Sequence, residues 1–220
     1  MATTEERARR LPRRTASATA ARHGAEGNER LTAAAGLVLI VLLAGLGVTI
    51  LSIGPLIWWH ALLGMLLIPP VLLKLGSTGW RLVRYYRGAP AYVRRGPPPL
   101  PLRLLAPLVV VSTLTVFGTG VALLVLGPSG GVLGGLHKAS FVVWFFATAI
   151  HVLAHLRSVP RLVAADWRRP APVATRVPGR HWRWFLLAAT IAAGLVVALA
   201  TVHFAQPWVQ WFGAAHGGDG

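Results

Sequence analysis

Residues 31–75 read LTAAAGLVLIVLLAGLGVTILSIGPLIWWHALLGMLLIPPVLLKL. About 20 helical residues cross a hydrocarbon core about 30 Å thick, so this run is long enough for two crossings. The break falls around Gly54 and Pro55, where glycine and proline mark a tight turn and Pro55 is suited to open a second helix. The first two spans are therefore Leu31 to Ile53 and Leu56 to Leu75, a helical hairpin. Working outward, Leu104 to Leu126, Leu136 to Leu156 and Trp184 to His203 are also of spanning length. The glycine-rich stretch Gly127 to Gly135 joins the third and fourth as a short exposed loop, giving a second hairpin to which the fifth helix is an addition. The fold class is all-α: a polytopic membrane protein with a four-helix transmembrane bundle over residues 31–156 and a fifth transmembrane helix over 184–203.

Composition agrees. Hydrophobic residues make up 55% of the 220, mean hydropathy is +0.59, and only 13% are charged, against about 25% in an ordinary soluble domain. The formal charge of +16 would suggest nucleic acid on a soluble face, but these arginines fall between apolar runs, where topology and anionic lipid explain them better. Nucleic acid is therefore not an expected partner. The chain has no cysteine, which excludes disulfides, thiolate-ligated haem and cysteine-ligated iron–sulfur clusters.

Orientation follows from the distribution of Lys and Arg. Residues 1–30, 74–103 and 157–183 carry seven each, and the opposite side has only Lys138. The N-terminus is expected in the cytoplasm and the C-terminus outside, in a bacterial inner membrane. Residues 1–30 are rich in Ala, Thr and Arg and are expected to be a disordered basic tail without a signal-peptide cleavage site. Residues 88–101, with Gly96-Pro97-Pro98-Pro99, suggest a stiff extended connector, residues 157–183 a basic cytoplasmic loop, and residues 204–220 a short outer tail.

No Asp or Glu occurs in any span, which disfavours carboxylate proton relays, ion pumps and di-iron sites. Histidines remain. His137 and His151 are fourteen residues apart on the fourth span, about 40° apart on one stripe and roughly 21 Å apart along the axis. One helix thus presents an imidazole toward each membrane surface. His60, about one and a half turns into the second span, matches His137 in depth, and facing imidazoles in a bundle are how membrane proteins hold haem iron. Gly64 follows His60 at i+4, and Gly118 and Gly120 on the third span would let a flat macrocycle approach. Lys138, the one outer cation, is placed to meet a haem propionate. His203 and the segment to Phe212 are expected to form a short interfacial helix capping this outer site.

The inner side is less complete. His151 and His155 share a face at i, i+4, a spacing that suits one metal or the lining of a quinone or proton path, but no third ligand is evident. The residue fourteen positions after His60 is Lys74, which ligates iron only when deprotonated. His181, just before the fifth span, is the other inner candidate.

The runs Trp58-Trp59-His60-Ala61-Leu62-Leu63-Gly64 and Leu136-His137-Lys138-Ala139-Ser140-Phe141, the latter continuing to His151-Val152-Leu153-Ala154-His155, resemble those of small bacterial cytochrome b561-type membrane proteins. The likeness covers about Leu31 to Leu156 and leaves out the fifth helix and both tails. It implies a cytochrome-b-like domain in which four histidines on two helices hold two b haems that pass electrons across the membrane, with periplasmic redox proteins as partners. His60, His137 and His151 match by role and spacing. Lys74 at the fourth position leaves an inner haem on His151 short of a ligand. The expectation is an electron-transfer subunit with haem b at His60 and His137, rather than a stand-alone enzyme. The competing expectation is a haem-free membrane scaffold or assembly partner whose basic loops bind anionic lipid or a cytoplasmic protein. A small transporter is disfavoured by the absence of buried acids and of broken-helix repeats.

Overall fold

In the computed structural model five helices are long and apolar enough to cross a membrane, each satisfying its own backbone, and no strand occurs among the described residues. The protein is an all-α polytopic membrane protein. The structure describes residues 4–97, 99–129, 131–156, 158–167 and 177–216, with side chains at Thr19 and from Arg22 onward except at 158, 165–167 and 216.

Helix α1 (Thr4–Leu51) has 48 residues and is about 72 Å long, more than twice the hydrocarbon thickness. The first thirty residues, expected to be disordered, are helical from Thr4. Ala25 among them has packing partners that come 66 and 67 residues later in the chain. The segment after α2 (Ile53–Tyr86), expected as an extended connector, contains the one-turn helix α3 (Pro90–Val93), and Ala25 is buried beside Ala91 and Tyr92. Arg95 pairs with Glu29, and Arg84 lies over the rings of Trp80 and Tyr92, 5.7 and 6.0 Å from their centroids.

Only Ser52 separates α1 from α2. Pro55 is the third residue of α2, where a missing N–H costs no helical bond. Pro69 and Pro70 lie inside the same helix, and the absent N–H of Pro70 leaves the Leu66 carbonyl without its i+4 donor. Helix α7 (Arg180–Thr201) packs there: a Cβ on Gly194 would stand 2.2 Å from the Leu66 oxygen. This is the small-residue approach by which membrane helices pack closely. Helix α7 is thus no addition at the margin; it packs along α2 in a three-helix unit with α1.

The second unit is the hairpin of α4 (Leu100–Leu126) and α5 (Gly131–His155), joined by a 3-10 turn at Gly127–Ser129. Its loop is shorter than expected, because Gly131, Gly134 and Gly135 are already helical. Gly127 turns the chain with φ +72°, against Pro207. Among the described residues α5 has substantial backbone contact with α4 alone, and α4 touches α2 only sparingly. The segment expected as a basic loop includes α6 (Ser158–Trp167), which packs against α1. After α7 a 3-10 turn (Val202–Ala205) leads into α8 (Gln206–His216), and Trp208 Nε1 donates to the Leu123 carbonyl at 2.9 Å. Arg157, Arg168, Arg169 and Arg176 of the basic loop, the side chains of the tail arginines from Arg7 to Arg14, and residues 217–220 lie outside the described residues.

Candidate functional site

The sparse contact between the two units leaves a cavity of about 540 Å³ at the end of the bundle where α1 turns into α2. That size falls in the range of about 300–1,000 Å³ typical of small-molecule and cofactor sites. Leu43, Leu46 and Ile50 of α1 line it together with Ile57, Ala61, Met65 and Ile68 of α2, Val116, Phe117 and Val121 of α4, and Phe141 and Trp144 of α5. Trp208, Trp211 and Phe212 of α8 also line it. The wall is apolar apart from a few groups, as cofactor pockets usually are.

His60 from α2 and His137 from α5 are two of those groups. They enter from separate units and line the same cavity. Each ring touches a threonine on the neighbouring helix of its own unit. His60 Nδ1 is 2.9 Å from Thr49 Oγ1 on α1, and His137 Nδ1 is 3.0 Å from Thr119 Oγ1 on α4. Gly120 lines the cavity and supports His137 directly: a Cβ there would be 3.2 Å from the imidazole Cε1. Gly64 also lines the cavity, and a Cβ there would meet nothing within 4 Å. Gly118 is exposed and lies outside the lining. Lys138 is exposed and lines the cavity, so a cation is available to an anionic group on a ligand. His203 is exposed and packs on Phe204 at 4.1 Å between ring centroids, outside the lining.

The opposite end differs. His151 and His155 contact each other at 4.8 Å between centroids, and His151 Nδ1 is buried without a hydrogen-bond partner. Lys74, the residue fourteen positions after His60, donates from Nζ to the Thr32 carbonyl on α1 at 2.8 Å. Gly36 makes room for it, since a Cβ there would be 3.0 Å from Nζ. Ser77 completes the α1–α2 contact by bonding Thr32 Oγ1 at 2.8 Å and accepting from Asn28 through its carbonyl at 3.0 Å. His181 is exposed at the start of α7. Among the described residues no group of three or more His, Cys, Asp or Glu side chains comes together.

Thr49 and Thr119, which contact the cavity's two histidines, are residues that sequence reasoning passed over. A threonine inside an apolar span usually bonds only its own helix, and both of these do that as well. The one sequence-level signal was a polar residue recurring in helices adjacent to those carrying histidine. No family model, characterised protein or solved structure matches the chain.

Proposed function

We propose that the protein is a b-type cytochrome of the bacterial inner membrane, holding one haem b between His60 and His137 and serving as an electron-transfer subunit. One observation carries this reading: two imidazoles from separate helical units line a single apolar cavity of cofactor size at the same end of the bundle. The residues suit the group. Two nitrogen ligands satisfy haem iron without a carboxylate or thiolate, neither of which lines the cavity. Gly64 leaves the wall bare where a flat macrocycle would lie, Gly120 makes room for the His137 ring, and Lys138 supplies a positive charge for a propionate. Bound there, haem supplies a one-electron couple whose potential follows from its axial ligands, burial and nearby charge.

The chain's own contribution is to bind and to exclude water. Trp208 anchors α8 to α4, so the aromatic side chains of α8 close the side of the cavity that would otherwise open to the membrane surface. The concentration of Lys and Arg at the opposite end supports an orientation with the cavity outside the cytoplasm, accessible to a periplasmic redox protein, and with basic segments on anionic lipid. One haem fits better than two, because Lys74 is engaged with α1 and the imidazole in contact with His151, that of His155, comes from its own helix.

The spectrum of the purified protein tests the reading. Dithionite-reduced minus oxidised absorbance should show sharp b-type bands, lost in His60→Ala and His137→Ala at unchanged expression and retained in His151→Ala. A folded, colourless preparation from haem-replete cells would overturn it in favour of a haem-free scaffold.

A further inference from the structure

We infer that Thr49 and Thr119 are positioning residues that hold His60 and His137 in the same tautomer, each ring donating from Nδ1 and keeping Nε2 bare for coordination. The purpose rests on the haem reading above; the tautomers do not. A threonine hydroxyl has one proton. Thr49 Oγ1 donates it to the Leu46 carbonyl, and Thr119 Oγ1 donates to the Thr115 carbonyl at 2.7 Å. Neither has a second proton for an imidazole, so each contact with a ring nitrogen runs the other way, from Nδ1–H to the hydroxyl lone pair.

Helix α4 contains an internal control. Thr113 Oγ1 donates to the Val109 carbonyl at 2.6 Å and is met by Trp144 Nε1 at 3.0 Å. An indole nitrogen can only donate, so this hydroxyl must accept while its own proton stays on the helix. Thr119 repeats the arrangement six residues later with His137 in place of the tryptophan. A histidine that donates from one nitrogen is fixed in orientation and becomes a more basic ligand at the other. Because α1 holds the ring on α2 and α4 holds the ring on α5, each unit pre-orients its own ligand.

The full-length protein, labelled with 15N-histidine and reconstituted in lipid without added haem, tests this by NMR. Wild type should show Nδ1–H, bare-Nε2 signals for His60 and His137, assigned by their loss in His60→Ala and His137→Ala. Thr49→Val should release His60 alone and Thr119→Val His137 alone, while Thr49→Ser and Thr119→Ser should retain the wild-type pattern. In haem titrations the valine variants should bind about 10–100-fold more weakly and, once loaded, show a more positive midpoint potential, with the serine variants close to wild type. Nε2–H tautomers in wild type, or valine variants with unchanged tautomers, would overturn the inference. If a valine variant fails to fold, the wild-type and serine spectra still decide. A wild type with the stated tautomers that takes up no haem would sink the cofactor and leave the threonine assignment standing.

Discussion

Gly194→Ala is the smallest change that tests how the α1–α2–α7 unit beside the cavity is held together. The added methyl would lie 2.2 Å from the Leu66 oxygen, 3.1 Å from its carbonyl carbon and 3.4 Å from its Cα. Ordinary contact begins at 3.4 Å, so the helices must separate locally by about 1 Å, and no flexible side chain can absorb the change because every contacted atom is backbone. Overpacking of this kind costs about 1–3 kcal/mol. Separation also removes the close approach to a carbonyl that Pro70 leaves without a helical donor, a Cα–H contact worth about 0.5–1 kcal/mol. The sum is about 3 kcal/mol, or roughly a hundredfold in the folding equilibrium. Since α7 leads through a tight turn into α8, its retreat should also loosen the aromatic closure of the cavity. Equilibrium unfolding in mixed detergent would measure the stability loss and haem titration the second effect. Gly118→Ala is the control, because its Cβ meets nothing within 4 Å. If Gly194→Ala unfolds with wild type and Gly118→Ala, the close α2–α7 contact is not what holds that unit together.

Two further substitutions separate cavity from ligand and one end of the bundle from the other. Gly64→Leu should extend into the cavity without a clash, leave stability unchanged or raised by about 0.8 kcal/mol through helix propensity, and abolish haem binding with both histidines intact; a melting curve read alongside haem content checks it, and retained haem would refute the placement. Lys74→Met should cost about 1 kcal/mol by removing the hydrogen bond to the Thr32 carbonyl while leaving the absorbance bands and the haem-to-protein ratio unchanged; loss of the bands would show that Lys74 takes part in the haem site after all.

How far the sequence discloses this molecule depends on the range of the interaction involved. The five spans are readable because burial in lipid is set by local hydropathy alone, and each apolar run carries its own evidence. His60 and His137 stand out because imidazoles inside a span are costly and few. The helical stretch of α1 before Leu31 is not readable, because the burial of Ala25 depends on Tyr92 across a 67-residue separation in sequence. The place of α7 is hidden for a similar reason. Gly194 is one of 24 glycines, and nothing near it in sequence shows that its partner is a carbonyl freed by a proline on another helix. The fate of Lys74 likewise depends on Gly36, thirty-eight residues earlier.

The division into two units bears on why the cavity is where it is. Within each unit the helices are joined by polar or close backbone contacts: Lys74 to Thr32 and Gly194 to Leu66 in one, Trp144 to Thr113 in the other. Between them the direct ties lie mainly at the cavity end, where Trp208 reaches Leu123. Lipid gives no hydrophobic drive to close the remaining gap, since hydrocarbon solvates apolar helix faces as well as a neighbouring helix does. A ligand bridging His60 and His137 would therefore add contacts between units that have few, and its binding free energy would appear directly as stability of the assembled bundle. By the same linkage, anything that holds the two units at the correct separation before binding, such as the α8 anchor, would strengthen ligand affinity without touching the ligand.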